Sequence, residues 1–304
     1  MKNKILLSVG DSFSYGSGLQ HSIPPKEKSF TGHMAEKMNF KFVNKSRPGC
    51  SNQNIVRNCI DYVVENGNKD LVVVVCWSHL ERIELFYKGE YQNLNSFFVD
   101  NESKDNILNL ACDFENLTTD TKPPDKNNII PSADWWLDYY YNFVNVYKSL
   151  HDTLLNQLLL KNFLEYNNIP FLFCESCKLN FHFTYPYHKS DPMEHLTYRQ
   201  LMDSLNIIDD KFEKYFKEIR NEDFYYNKSI SRLTYESGLE NNKYKYNTHD
   251  GKLKQKALDL KKRQQIWTSC NHPSDESHEY IAEILVKFVY DKRIVNEVWE
   301  SYFR

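Results

Sequence analysis

KILLSVGDSFSYG, residues 4–16, is an apolar run followed directly by Gly-Asp-Ser. Residues 5–9 predict a buried β-strand, which places the hydroxyl of Ser12 just beyond its carboxyl end. Open α/β sheets bind their ligands at this edge. Near the other end of the chain, His272-Pro273 precedes a helical pattern. We therefore expect serine chemistry, with a nucleophile from the head of the chain and a base from its tail.

Strand and helix patterns alternate through the first third of the chain. Four valines in succession make residues 71–77 typical of a central strand that is covered on both faces. Such alternation predicts an α/β fold with right-handed crossovers and a mostly parallel sheet. The other predicted strands span residues 40–44 and 169–174, and the predicted helices span residues 28–38, 52–65, 135–166 and 276–290.

Two stretches interrupt this alternation. Residues 88–131 are polar, with Pro-Pro at 123–124, and residues 178–262 are rich in Tyr, His and charge. We interpret them as insertions into one domain that spans residues 1–304, the second with helices at 198–217 and 253–264. The basic stretch 252–263 is interpreted as a solvated helix face, with a cationic rim for an anionic glycan or lipid head group as the alternative.

Composition excludes several classes of function. The formal net charge is −3 over 304 residues, which gives no electrostatic case for binding nucleic acid. The longest apolar run is much shorter than a membrane span, and the start of the chain lacks a signal-peptide pattern. We therefore expect a cytoplasmic location without a membrane span. The sequence leaves the oligomeric state open.

Cysteine and histidine patterns predict neither disulfides nor a metal. Seven cysteines form an odd, irregularly spaced set, so we expect reduced thiols. Cys174 and Cys177 have redox-motif spacing but are interpreted as incidental residues at a strand end. Ten histidines show no pattern typical of metal ligands, and we expect no catalytic metal and no cofactor.

A serine hydroxyl needs a base to remove its proton and donors for the oxyanion that forms on the attacked carbonyl. The backbone N–H of Ser12, at a strand-to-helix junction, is one candidate donor. Gly49 follows the second predicted strand and precedes a helix, where a glycine permits close backbone approach and can present a second N–H.

These residues resemble the GDSL/SGNH hydrolases in residues 1 to about 80, 169–176 and 267–292. The resemblance rests on Gly10-Asp11-Ser12 with Tyr15-Gly16, on Gly49, and on His272-Pro273 before a helix that contains Ile281-Ala282. It implies a flavodoxin-like three-layer α/β/α fold that cleaves acyl esters. It also implies Ser12 as nucleophile, Gly49 as oxyanion donor and His272 as general base.

The third block of the family should read Gly-x-Asn, but here the central strand ends Trp77-Ser78-His79. Ser78 stands where the oxyanion Asn is expected, and its hydroxyl can donate one hydrogen bond. His79 is the neighbouring alternative. Losing a good oxyanion donor costs about 3–4 kcal/mol of transition-state stabilisation, so the replacement matters chemically. Some phage-encoded relatives have a similar strand end, which makes a viral origin possible.

The acid that orients the base is also absent from its expected position, where Ser269 stands. A literal Asp-x-x-His occurs at Asp275–His278, but His278 lacks the following proline, so we favour His272 and place Asp275 in the first helical turn. A backbone carbonyl, or an acid from an insertion such as Asp250, is left to orient His272. Asp11 is interpreted as fixing the turn before Ser12.

The leading hypothesis is a serine esterase that deacylates an acylated carbohydrate or a similar small ester through an acyl-enzyme. The carbohydrate part follows from the range of the family and from the aromatic insertions. One alternative is an O-acyltransferase that uses the same serine, with a sugar hydroxyl in place of water. Another is a catalytically weakened binding protein of the same fold, because the third-block Asn and the orienting Asp are missing.

Overall fold

The structure is a computed structural model with side chains. The residues that it describes are 4–17, 19, 25–80, 82–87, 90–94, 146–176, 210–219, 221, 223–240, 247–249, 252–254 and 272–295.

The centre of the molecule is a parallel sheet of four strands. They are β1 (Ile5–Gly10), β2 (Lys41–Asn44), β3 (Leu71–Trp77) and β6 (Phe171–Glu175). Their spatial order is β2-β1-β3-β6, with every pair parallel. Counting only these strands, the order is 2-1-3-4, which is how the flavodoxin-like doubly wound sheet begins. The α/β fold expected from the alternating patterns is confirmed.

Helices cover both faces of this sheet and make three layers. On one face, α3 (Asn52–Asn66) and α4 (Val146–Tyr166) pack against alternate strand residues. On the other, α2 (Phe30–Lys37) and α7 (Asp275–Asp291) pack against the residues between them. Valines of β3 alternate between the two cores, Val73 and Val75 facing α3 and α4, and Val72 and Val74 facing α2 and α7. This alternation explains why the strand reads as a continuous apolar run.

Side-chain caps fix where the covering helices begin. Ser29, Ser51 and Ser274 each accept a hydrogen bond from the backbone N–H three residues later, at the starts of α2, α3 and α7. Asp275 and Glu276 lie in the first turn of α7, as expected for Asp275, where a carboxylate complements the helix dipole.

Two hairpins correct the sequence interpretation of the insertions. The strand β4 (Ile83–Tyr87) pairs antiparallel with β5 (Glu90–Leu94). The strand β5 falls within residues 88–131, for which the sequence predicted no regular structure. The strand β7 (Asn247–His249) pairs with β8 (Lys252–Lys254). The helix expected at 253–264 is therefore wrong at its start, because backbone pairing with β7 makes Lys252–Lys254 a strand. Its remainder lies outside the described residues.

Two further helices lie within residues 178–262, which were predicted to form the second insertion. The helix α5 (Asp210–Ile219) overlaps the predicted helix 198–217, and α6 (Ile230–Glu240) follows it. A short 3-10 turn at Pro25–Lys28 precedes α2. In the described part of the chain, no helix combines the length and the apolar character that crossing a membrane requires.

Candidate active site

Ser12 is the first residue of the one-turn helix α1 (Ser12–Tyr15), directly after the carboxyl end of β1. Asp11 caps this turn: its Oδ1 accepts from the N–H of Phe13 at 3.0 Å, and its backbone carbonyl accepts from the hydroxyl of Ser14 at 3.1 Å. Ser12 is nearly enclosed, with 7% of its surface exposed. Asp11 therefore has the turn-fixing contacts that the sequence analysis assigned to it.

Gly10 lets the strand end pack this closely. A Cβ there would lie 2.3 Å from the hydroxyl oxygen of Ser14 and 2.7 Å from the backbone oxygen of Cys76 on β3. Because contacts under 3.0 Å with backbone cannot be relieved cheaply, no side chain fits at this position. The absence of a side chain at Gly10 therefore allows the turn that carries Ser12 to form against β3.

The loop after β2 lies against the same strand end. The backbone N–H of Arg47 and the thiol of Cys50 both donate to the carbonyl of Gly10, each at 3.0 Å. Gly49, between them, has a φ of 72°, in the left-handed region that glycine adopts without strain. The structure therefore places Gly49 in the loop beside the turn of Ser12, and its role as an oxyanion donor stays a prediction.

Cys50 is the other nucleophile type in this loop. Burial, with a further contribution from the nearby Asp11 carboxylate, raises the pKa of its thiol to about 12. A thiol nucleophile must ionise to react, so Cys50 is inert near neutral pH.

Ser78 directly follows β3, and its hydroxyl lies near the carboxylate of Asp11 in the turn that carries Ser12. Its hydroxyl oxygen lies 3.5 Å from Oδ2 of Asp11 and accepts from Nη1 of Arg82 at 2.7 Å. Nη1 of Arg82 also donates to Oδ2 of Asp11 at 3.2 Å. The third-block serine thus lies at the predicted strand end, within a buried ion pair that the sequence gave no sign of.

Asn52, at the start of α3, fixes the backbone of Ser78. Its Oδ1 accepts from the N–H of Ser78 at 2.8 Å, and its Nδ2 donates to the carbonyl of Ser78 at 3.3 Å. The same Nδ2 donates to the hydroxyl of Thr153 on α4 at 3.1 Å. His79, the alternative donor, is half-buried, and its carbonyl accepts from the N–H of Arg82 at 3.4 Å.

His272 lies just before α7 and packs against the residue that follows Ser12. The ring centroids of His272 and Phe13 are 5.3 Å apart at an interplanar angle of 55°. The half-buried imidazole from the tail of the chain is therefore next to the turn that carries Ser12. Bonding between His272 and the hydroxyl of Ser12 stays a prediction.

His278, the alternative base, is held differently. It is fully buried, its ring stacks on Phe30, and its Nδ1 accepts from the backbone N–H of Phe30 at 3.0 Å. Burial, with smaller contributions from His33 and His272, lowers the pKa of His278 to about 3. A ring nitrogen engaged in this way supports the start of α2 and is a poor proton acceptor for Ser12.

Three residues that the sequence singled out lie outside the described residues. They are Asp250, considered for orienting His272, Ser269, which stands where the orienting Asp is expected, and Cys177 of the spaced cysteine pair. Cys50, Cys59, Cys76 and Cys174 are buried free thiols. Within the described ranges, no group of three or more His, Cys, Asp or Glu side chains could hold a metal ion.

Sequence reasoning missed Arg82 and Asn52. Arg82 was visible only as the residue four positions after Ser78, and its role depends on β1 and β3 being neighbours. Asn52 was recognised only as a helix start. Both become informative once the loops after β1, β2 and β3 are brought together at one edge of the sheet.

No protein-family model and no curated protein matches the sequence. The solved structures similar to this chain include GDSL lipolytic proteins and esterases. A lipolytic protein of the G-D-S-L family from Desulfitobacterium hafniense is 11% identical over 94% of this chain and 99% of that chain, with a TM-score of 0.41. The psychrotrophic esterase EstA from Pseudoalteromonas sp. is 10% identical over 95% and 97%, with a TM-score of 0.42.

A third similar structure is a catalytic mutant of Axe2, an acetylxylan esterase from Geobacillus stearothermophilus. It is 11% identical over 94% of each chain, with a TM-score of 0.42. With TM-scores below 0.5, these likenesses carry no weight for the activity of this chain, which depends on its own site residues.

Proposed function

We propose that the protein is a serine esterase in which Ser12 is the nucleophile and His272 the general base. The observation that carries the proposal is the meeting of head and tail: His272 packs against Phe13, the residue after Ser12. The position of Ser12 beyond the carboxyl end of β1 supports it, since open α/β sheets bind ligands there. The resemblance to GDSL/SGNH hydrolases points to the same pair.

In the proposed reaction, His272 accepts the proton of Ser12 as Oγ forms a bond to the carbonyl carbon of the ester. The carbonyl π electrons move to oxygen, and the N–H groups of Ser12 and Gly49 with the hydroxyl of Ser78 bind that oxyanion. Collapse breaks the ester C–O bond, and the imidazolium protonates the departing alcohol. Water then attacks the acyl-enzyme by the same steps, releasing the acid and restoring Ser12.

His272 suits the role better than His278 for a physical reason. A general base works best when its pKa lies near the working pH. The pKa of His278 is lowered to about 3 by burial, and its Nδ1 is already bonded to the N–H of Phe30. His272 is half-buried, so substrate and Ser12 can approach it.

The substrate class proposed is an acylated carbohydrate or a similar small ester. The family resemblance supports this class, because such hydrolases include carbohydrate deacylases. The O-acyltransferase reading differs only in the acceptor, with a sugar hydroxyl replacing water in the second half-reaction. Product analysis of the acyl-enzyme reaction with and without a glycan acceptor separates the two.

The test is hydrolysis of p-nitrophenyl acetate by the wild-type protein and by Ser12→Ala. We expect the variant to lose at least about 10³-fold in kcat, since a nucleophile of this type cannot be replaced by its neighbours. Ser14→Ala is the matched control, because that buried hydroxyl lies two residues away and donates only to the carbonyl of Asp11. A fluorophosphonate probe should label Ser12 in the wild type and in the Ser14 variant.

A non-catalytic binding protein is the second candidate function. The observation that favours it is Ser78 in the place of the oxyanion Asn, with its hydroxyl already bonded to Arg82. Equal, background-level hydrolysis by the wild type and Ser12→Ala, with no fluorophosphonate label, would establish this reading and remove the esterase.

A further inference from the structure

The ion pair between Asp11 and Arg82 is almost completely buried. Asp11 has no exposed surface and Arg82 has 8%, and both contact Ser78. Replacing such a pair by apolar residues is often neutral or stabilising, so a buried pair is weak evidence for a stabilising role. Its position beside Ser12 makes a role in the reaction the better explanation.

Ser78 has one donor left to offer. Its backbone N–H is bonded to Oδ1 of Asn52 at 2.8 Å, so it cannot reach a substrate. Its hydroxyl oxygen accepts a short, charge-assisted bond from Nη1 of Arg82 at 2.7 Å. The proton on that hydroxyl is therefore the only group of Ser78 that can stabilise an oxyanion.

Arg82 determines where that proton points and how strongly it is donated. A guanidinium has no acceptor, so the hydroxyl of Ser78 cannot donate to it and must point elsewhere. Among the described residues, the acceptor for this proton is Oδ2 of Asp11, which is 3.5 Å away, at the limit of hydrogen bonding. A positive charge bonded to the hydroxyl oxygen also polarises the O–H bond, which makes it a better donor.

We propose that Arg82 is a positioning residue that turns the Ser78 hydroxyl into an oxyanion donor, in place of the side-chain amide found in related hydrolases. This inference rests on the proposed esterase function and deepens it. In the resting site the proton of Ser78 points weakly at Asp11. When the substrate carbonyl oxygen becomes an oxyanion, the hydroxyl of Ser78 rotates and donates its proton to that oxyanion. Nη1 of Arg82 remains bonded to the hydroxyl oxygen of Ser78 throughout.

The test is a double-mutant cycle on hydrolysis of p-nitrophenyl acetate with Ser78→Ala, Arg82→Gln and the double variant. Removing one oxyanion donor lowers kcat by about 10²-fold, and we expect that loss from each single variant. KM should change little, because the bond is made in the transition state. If Arg82 acts through Ser78, the double variant loses no more than either single variant.

Arg82→Lys and Arg57→Gln are the companion variants. Lysine keeps a charged donor for Ser78, so Arg82→Lys should retain kcat to within about tenfold. Arg57 donates to the carboxylate of Glu84 through Nη2 at 2.6 Å, so we expect Arg57→Gln to leave kcat unchanged. If Arg82→Gln does not fold, the same cycle is run with Arg82→Lys, whose loss in kcat must then vanish in the Ser78→Ala background.

The outcomes separate this inference from the esterase proposal. A folded Arg82→Gln variant with wild-type kcat, or losses that multiply in the double variant, overturns the role of Arg82 while Ser12-dependent hydrolysis stands. A wild type no faster than Ser12→Ala overturns both.

Discussion

The edge of the sheet around Ser12 and the contact between α4 and α5 both bury a cation, but they treat its partners differently. Around Ser12, Arg82 and its partner Asp11 are both enclosed. Between the helices, Lys161 is buried with 9% of its side chain exposed, whereas Glu165 and Glu218 keep 48% and 52% exposed. Only the first arrangement removes both charges from water, which is the costly case.

The difference distinguishes a candidate reaction site from a contact that only holds two helices together. At the helix contact, burial alone would lower the pKa of Lys161, but the hydrogen bonds that its ammonium donates to Glu165 and Glu218 outweigh burial and raise the pKa. Because both carboxylates remain hydrated, the arrangement carries only a small desolvation penalty and places little constraint on the fold. Around Ser12, by contrast, both charges of the Asp11–Arg82 pair are buried next to the proposed nucleophile. Buried, interacting charges of this kind are common at active sites.

Breaking the enclosed pair should have the largest effect. Asp11→Ala leaves the guanidinium of Arg82 buried without a carboxylate and removes the acceptor for the N–H of Phe13. We expect a loss of about 3–5 kcal/mol in the free energy of unfolding, measured by urea denaturation. Asp11→Asn keeps an oxygen for the cap and should lose less. A loss under about 1 kcal/mol in Asp11→Ala would contradict the comparison.

His278 extends the comparison to a neutral group that is enclosed in the same region. Its pKa is about 3 in the folded state, lowered by burial, and about 6.5 when the chain is unfolded. Below pH 6.5 the unfolded chain binds a proton that the folded protein does not, so acid favours unfolding. This contribution to stability is complete above pH 6.5 and is lost as pH falls towards 3, by about 1.4 kcal/mol per unit.

The measurement is urea denaturation at pH 7, 6, 5 and 4 for the wild type and for His278→Asn. Asparagine offers Oδ1 to the N–H of Phe30 in place of Nδ1 and does not titrate. We expect the wild type to lose stability more steeply than the variant between pH 6 and pH 4. Parallel curves would show that His278 is protonated without unfolding.

The helix contact should show the smallest effect. Glu218→Gln removes a carboxylate that is half exposed, and Lys161 keeps its bond to Glu165 at 2.9 Å. We expect a change under about 1 kcal/mol in the free energy of unfolding, decreasing further as salt is added. A loss equal to that of Asp11→Ala would make the two regions energetically alike.

The sheet was predictable because its strands carry their own pattern. The bounds of β3, Leu71–Trp77, agree with the prediction from its uninterrupted apolar run. Two of the helices that cover it, Asn52–Asn66 and Asp275–Asp291, were predicted to within one residue at each end. The prediction for α2 began two residues too early, and the first part of the helix predicted at 135–166 lies outside the described residues. Local pattern sufficed wherever burial on one or both faces fixed the residue type.

The hairpins were missed although a glycine stands in the sequence between the two strands of each. Asp250-Gly251 stands between β7 and β8, and Asp-Gly between paired runs is a strong hairpin signal. The charges that follow were interpreted as a helix face instead. Lys88-Gly89 stands in the same way between β4 and β5.

Within the site, the sequence pointed to Ser12, Gly49, Ser78 and His272, and the structure describes all four. The sequence could not point to Arg82, because no local sequence pattern distinguishes a buried arginine from one on the surface. Its partner Asp11 lies 71 residues earlier in the chain, and β2 and β3 come between the two. Long-range polar contacts of this kind carry no periodic signal.

The order of these parts along the chain has a consequence for synthesis. Asp11, Gly49, Ser78 and Arg82 all lie within the first 82 residues, whereas His272 belongs to the segment before the last described helix. A growing polypeptide therefore contains Ser12 and the Asp11–Arg82 pair long before His272 leaves the ribosome. Any hydrolysis that needs His272 is therefore withheld from the nascent chain until residue 272 has been made and has folded against Phe13.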